Sequence, residues 1–133
     1  LDESVRSIHL ARQALALGSC RYMNIKPGRV GGLTNAIAIH HLCLEAGIPC
    51  WVGGMLESAC GSAHCAALAM LDNFTYPADI FPSERFYHQD LADPALLLSP
   101  GPDGTPGVAA PQQLPVPRQE QLGQCPLQQA PTR

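Results

Sequence analysis

The chain has 133 residues, with 8 Lys plus Arg against 11 Asp plus Glu, a formal net charge of −3, and 46% hydrophobic residues. It has no basic cluster of the kind that attracts nucleic acid and no apolar run of about 20 residues that could span a bilayer, so neither partner is expected. The six cysteines include no Cys-x-x-Cys pair, and no charged segment followed by an apolar run opens the chain, which points to reduced thiols in the cytoplasm.

The first predicted element is a helix over residues 5–17. Ser4 stands as its N-cap, Val5, Ile8, Ala11, Ala14 and Leu15 form an apolar face, and Gly18 is placed for the C-terminal stop. A strand follows over 22–26 and ends at Pro27, which cannot continue a ladder. The spacing of Ile37, Ile39, Leu42 and Cys43 predicts a helix over 34–46, with Gly47 and Pro49 as the stop. A second strand over 48–52 breaks at Gly53-Gly54, an alanine-rich helix covers 58–71, and residues 74–76 form a further short strand. Strand, loop and helix recurring every ~25 to 30 residues is the βα unit, and right-handed crossovers make its strands parallel.

A closed (β/α) barrel takes about 250 residues, so the expected fold is α/β, a portion of such a barrel amounting to three or four units over residues 1–104. Residues 105–133 are rich in Pro and Gln. Such composition buries too little apolar surface to offset ordering, which predicts a disordered tail.

Alternation along the first strand puts Asn24 and Lys26 on one face and Met23 and Ile25 on the other. Lys26 thus stands at the carboxyl end of a strand, just before the glycine-rich Gly28-Arg29-Val30-Gly31-Gly32, and that end is where parallel barrels place their chemistry. Taken singly, each feature has a plainer reading. Asp2 suits the approach to a helix, Lys26 can reach solvent from a strand end, and Gly53-Gly54 can be a tight turn. Cys60 and His64 share a helix face, but no further ligand follows at a zinc spacing, so buried thiols are the default.

Four segments taken together carry a resemblance. Leu1-Asp2-Glu3-Ser4, Asn24-Ile25-Lys26-Pro27-Gly28-Arg29-Val30-Gly31-Gly32, residues 48–58 (Ile-Pro-Cys-Trp-Val-Gly-Gly-Met-Leu-Glu-Ser) and Asn73-Phe74-Thr75 with Pro77-Ala78-Asp79 resemble the C-terminal part of the enolase superfamily. Within it, the o-succinylbenzoate synthase and N-acylamino acid racemase family is the nearest match, and the likeness covers about residues 1–104.

That resemblance implies a barrel segment holding about strands 5/6 to 8. It implies one divalent metal site (Mg²⁺ or Mn²⁺), with Asp2 as one of its ligands and the remaining ligands outside this chain. Lys26 would be a catalytic lysine and Asn24 would share its pocket, while Gly53, Gly54, Met55 and Leu56 would lie against a small carboxylate substrate. Asp79 would be peripheral, and the full-length relatives would be homo-oligomers. A second catalytic lysine is expected from a strand this chain lacks, so the isolated chain is expected to be inactive. Ser62 replaces a basic residue common in the family, and Ala78 a glycine. Proton abstraction beside a carboxylate suits a lysine base whose pKa has fallen from about 10.4, and Arg29, three residues along, is the expected source of part of that fall.

Overall fold

A computed structural model describes residues 1–109 and 111–125. Its elements in chain order are α1 (Ile8–Ala16), β1 (Met23–Ile25), α2 (Pro27–Val30), α3 (Leu33–Glu45), β2 (Cys50–Val52) and α4 (Ala59–Leu68). A 3-10 turn (Ser83–Arg85) follows, then β3 (Ala92–Asp93), β4 (Leu98–Pro100), β5 (Pro106–Val108), β6 (Val116–Pro117) and α5 (Gln119–Gln124). It is a mixed α/β fold.

The parallel ladder is built from consecutive chain segments. Asn24 donates its N–H to the Leu1 carbonyl at 2.8 Å, and the Leu1 amino group donates to Tyr22 at 2.7 Å, so Leu1 runs parallel beside Met23. β1 pairs in parallel with β2, Met23 opposite Cys50 and Ile25 opposite Val52. On the far side of β2, Cys50 bridges Phe74 and Gly53 bridges Asp79, both in parallel. All three residues of β1 are buried, as expected of a parallel strand covered on both faces.

α1 and α3 pack against one another and α3 lies on β1, closing a core that includes Met23, Ile25, Val30, Ile39, Cys43 and Val52. Burying a side chain the size of Ile39 or Met23 contributes about 1.5–3 kcal/mol. α4 packs against α2, α3 and β3, and small residues (Ala59, Ser62, Ala63, Ala66) let it come close on several sides.

Several features differ from the sequence expectation, and the strand expected over 74–76 is reduced to the single Phe74 bridge. α1 starts at Ile8, and its cap is Ser7, whose hydroxyl accepts from the Leu10 N–H at 3.2 Å, not Ser4. Val5 is buried all the same, in the approach to the helix. In α3 the inward face is Ala36, Ile39, His40 and Cys43, and Ile37 is exposed, because the helix packs on two neighbours and its inward stripe is centred on Ala36 and His40. The glycine-rich loop contains a turn of helix, α2, which Pro27 can open because its fixed φ suits the first helical position. Gly31 and Gly32 then take φ of 88° and 106°, which turns the chain straight into α3.

The segment from residue 105, where a disordered tail is expected, carries two short pairings over its described residues. β5 pairs antiparallel with β4, and β6 with β3. The Arg118 N–H donates to Leu91 at 2.8 Å, and the Arg118 guanidinium meets Asp93 at 2.7 Å. Short antiparallel pairings are satisfied by backbone hydrogen bonds and turn chemistry, here Asp103 accepting from Thr105, and need little apolar burial. Residue 110 and residues 126–133 lie outside the described residues. No helix among the described residues is long and apolar enough to cross a membrane.

Candidate active site

The carboxyl end of the parallel ladder gathers four charged side chains. Lys26 Nζ lies 2.8 Å from Glu3 Oε1 and 3.2 Å from Asp2 Oδ1. Arg29, projecting from α2, pairs with Asp2 through Nη1, reaches Glu3 at 3.1 Å, and donates through Nη2 to the Asn24 carbonyl at 3.3 Å. The position of Lys26 follows from β1 ending at Pro27, and the return of Arg29 over the strand end follows from the single turn of α2.

These contacts set the protonation states. Partial burial works to raise the Asp2 carboxyl, but hydrogen bonds from Arg29 and Lys26 outweigh it and hold the group below the ordinary aspartate value. The bond from Lys26 likewise lowers Glu3. The Lys26 ammonium is pushed up, first by Glu3 and then, against the effect of burial, by Asp2. That reverses the expected fall: the two carboxylates contact Lys26 directly, whereas Arg29 spends its charge on those same carboxylates.

Beside Lys26 opens a cleft of about 530 Å³ lined by Gly54, Met55, Leu56, Glu57, Asp79, Phe81 and Phe86. Three of the expected substrate-wall residues, Gly54, Met55 and Leu56, therefore share a cleft with Lys26. Gly53 and Asn24 lie just beneath it, with Asn24 buried. Asp79, expected to be peripheral, lines the cleft itself, and its carbonyl occupies the space a Gly54 side chain would need. The wall is held in shape by the Glu57 carboxylate, which accepts the Met55 N–H, and by the Tyr87 hydroxyl, which donates to the Leu56 carbonyl at 2.8 Å.

Sequence reasoning missed Glu3, Glu57, Phe81 and Phe86. Glu3 directly follows Asp2 and was open to discovery as a second carboxylate at the same strand end. The two phenylalanines lie in an irregular segment with no periodicity to mark them; Arg85 stacks on Phe81, its guanidinium carbon 4.2 Å from the ring centre.

Cys60 and His64 do not start a metal centre in this structure: the Cys60 thiol donates to the Pro115 carbonyl at 3.2 Å. Among the described residues, no group of three His, Cys, Asp or Glu side chains could hold an ion. The same holds around Asp2, whose Oδ1 is taken by Arg29 and Lys26. Mg²⁺ requires near-octahedral oxygen coordination, so the described residues do not by themselves fit that ion.

The chain is a mixed α/β fold whose parallel ladder carries a lysine and two carboxylates at its carboxyl end, and residues 1–109 match the family model described as Enolase C-terminal domain-like. The chain is 50% identical over 112 residues to an o-succinylbenzoate synthase of Geobacillus stearothermophilus, covering 81% of this chain and 30% of that protein. It is 44% identical over 127 residues to an N-succinylamino acid racemase of Amycolatopsis sp, covering 96% and 31%. Among solved structures, an unknown member of the enolase superfamily from Enterococcus faecalis V583 superposes with a TM-score of 0.78 at 37% identity, over 93% of this chain and 33% of that one. The chain belongs to the enolase superfamily, in the o-succinylbenzoate synthase and N-succinylamino acid racemase family. It spans just under a third of the length of the two curated relatives named here.

Proposed function

We propose that this chain supplies the Lys26 side of an active site that removes the proton alpha to a carboxylate, in the dehydration that forms o-succinylbenzoate, in N-acylamino acid racemisation, or in both. The observation that carries the reading is the placement of the only lysine in the chain. It stands at the carboxyl end of a parallel strand, between Asp2 and Glu3 on one side and a cleft walled by Gly54, Met55 and Leu56 on the other.

In this arrangement Lys26 is an ammonium, clasped by two carboxylates. It becomes a base only when that clasp loosens. Glu3 is largely exposed and free to swing away, whereas Arg29 is buried and stays on Asp2. Arg29 thus tunes Lys26 indirectly, by satisfying the carboxylates that would otherwise hold its proton. Once neutral, Lys26 can accept the α-proton of a carboxylate substrate in the cleft and, as the ammonium, return it. Gly54, Met55 and Leu56 would orient the substrate and exclude water, with Asn24 shaping the floor. Asp2 is the one residue of this chain that would ligate the divalent ion of the complete site.

The test is solvent deuterium exchange into the α-position of an N-succinylamino acid, with and without Mg²⁺. In a complete barrel that contains this chain, the expected result is exchange that falls at least ~10²-fold in Lys26→Ala, the usual scale for losing a positioned acid–base group. Unchanged exchange in Lys26→Ala would overturn the assignment. A second reading is favoured by the single candidate ligand among the described residues: on its own the chain is a non-catalytic association module. A folded wild-type chain with no exchange would support it.

A further inference from the structure

Gly53 continues β2 into the centre of the ladder. Its N–H donates to the Ile25 carbonyl at 3.1 Å, and on the opposite side it bridges Asp79. A Cβ at this position would lie 2.7 Å from Asn24 Nδ2 and 2.7 Å from Lys26 Cε, with Asn24 Oδ1 closer still. These are overlaps, not contacts, and a backbone paired on both sides cannot retreat from them. Asn24 is 1% exposed, and neither atom of its amide has a hydrogen-bond partner among the described residues. Its place is therefore set by packing, and what it packs into is the space left by the missing side chain of residue 53.

We propose that Gly53 is a positioning residue for Lys26. Its bare Cα leaves a slot in which the Lys26 stem lies, and the Asn24 amide forms the slot's second wall. The stem leaves the slot toward the cleft, so the slot fixes the direction from which Nζ meets a substrate. A β-carbon at residue 53 would evict the stem and redirect the amine without altering any charge around it. The consequence for catalysis rests on Lys26 acting as the base, but the slot itself does not.

The experiment exploits the composition of the chain. Lys26 is its sole lysine, so lysine labelled with ¹³C at Cε gives a single resonance. In the wild-type chain that ε-methylene is expected to show a nuclear Overhauser contact to the α-protons of Gly53. In Gly53→Ala the resonance moves and the contact is lost. In Gly61→Ala, where a Cβ would meet the Glu57 Cγ at 2.6 Å, a comparable overlap falls on the cleft wall and not on the lysine stem, and the resonance stays in place. A folded Gly53→Ala chain with resonance and contact unchanged overturns the proposal, as does an equal displacement in Gly61→Ala. If Gly53→Ala does not fold, Asn24→Ala decides: the ε-methylene is expected to gain mobility and lose its contact to Gly53, and an unchanged signal overturns the slot. No turnover is required, so failure of the α-proton exchange test and failure of this one are separately visible.

Discussion

Asp90 caps a helix whose first residue lies thirty-one positions earlier: its carboxylate accepts the Ala59 N–H at 2.9 and 3.1 Å. The same buried carboxylate accepts the Ala92 N–H at 2.8 Å and the Ser83 hydroxyl, so one side chain ties together α4, the 3-10 turn and β3. Ser58, the residue in the N-cap position, makes no capping bond. Replacing Asp90 by Ala leaves several donors unpaired in a buried place, and the expected loss is about 2–4 kcal/mol, read from urea unfolding. Asn, which keeps one acceptor, should lose about half as much. A loss below about 0.5 kcal/mol for Asp90→Ala would mean that water replaces the carboxylate.

His40 makes stability depend on pH. Its ring stacks on Phe74 at 5.2 Å, and its Nε2 accepts the Asn73 N–H at 3.3 Å, which fixes the neutral form. Burial lowers its pKa, the neighbouring His41 lowers it further, and Asp72 opposes both without reversing the direction. The unfolded chain therefore takes up a proton before the folded one does, and stability falls as pH drops below about 6.5. The urea midpoint should decline as pH falls below about 6.5, and His40→Gln, which keeps an acceptor, should flatten that decline. An unchanged slope in the variant would locate the effect elsewhere.

Arg29 and Asp2 make a second pH dependence at a lower range. Asp2 is held below its ordinary pKa, so its contribution is fully present above about pH 4 and disappears as pH falls through the lowered value. Arg29→Ala should raise the Asp2 pKa and move the acid limb of the unfolding curve to higher pH. Arg29→Lys should not restore it, because a point charge cannot reach Asp2, Glu3 and the Asn24 carbonyl at once. Thermal melting from pH 2 to 6 reads both variants.

The cysteines should divide by reactivity. Cys65 is buried and its thiol is pushed up to about 12 by loss of solvation, while Cys43 and Cys50 are completely buried. Cys125 is exposed. At pH 8 a disulfide reagent should label Cys125 promptly in the native chain and reach Cys43, Cys50 and Cys65 only after denaturant is added. Prompt labelling of Cys65 in the native chain would show that α4 opens far more readily than its packing implies.

What the sequence revealed and what it hid follow a physical division. Regular elements left periodic traces: α1, β1, β2 and α4 fall inside the expected ranges, and α3 starts one residue before its own, because apolar positions recur at strand or helix spacing. Lys26 and the Gly53–Leu56 segment were visible because a strand end followed by glycine is a local pattern. Asp90, Tyr87, Phe81 and Phe86 were invisible for the opposite reason. They act across the chain from an irregular segment, where neither residue type nor spacing tells which distant N–H or cleft they will meet. The β4–β5 and β3–β6 pairings were hidden by composition: Pro100, Pro106 and Pro117 argue against strands in general, yet each sits in a pairing of only two or three residues.

The ladder also implies an order of assembly. Leu1, β1, β2 and the Phe74 segment are neighbours in space in the order in which they occur in the chain, each separated from the next by one helix or, between β1 and β2, by α2 and α3. Every new strand thus docks on the one just formed, and no loop longer than one βα unit has to close at any step. Within this segment the ladder can extend in chain order, and the clasp of Asp2 and Glu3 on Lys26 can form before the cleft wall that faces it has been made.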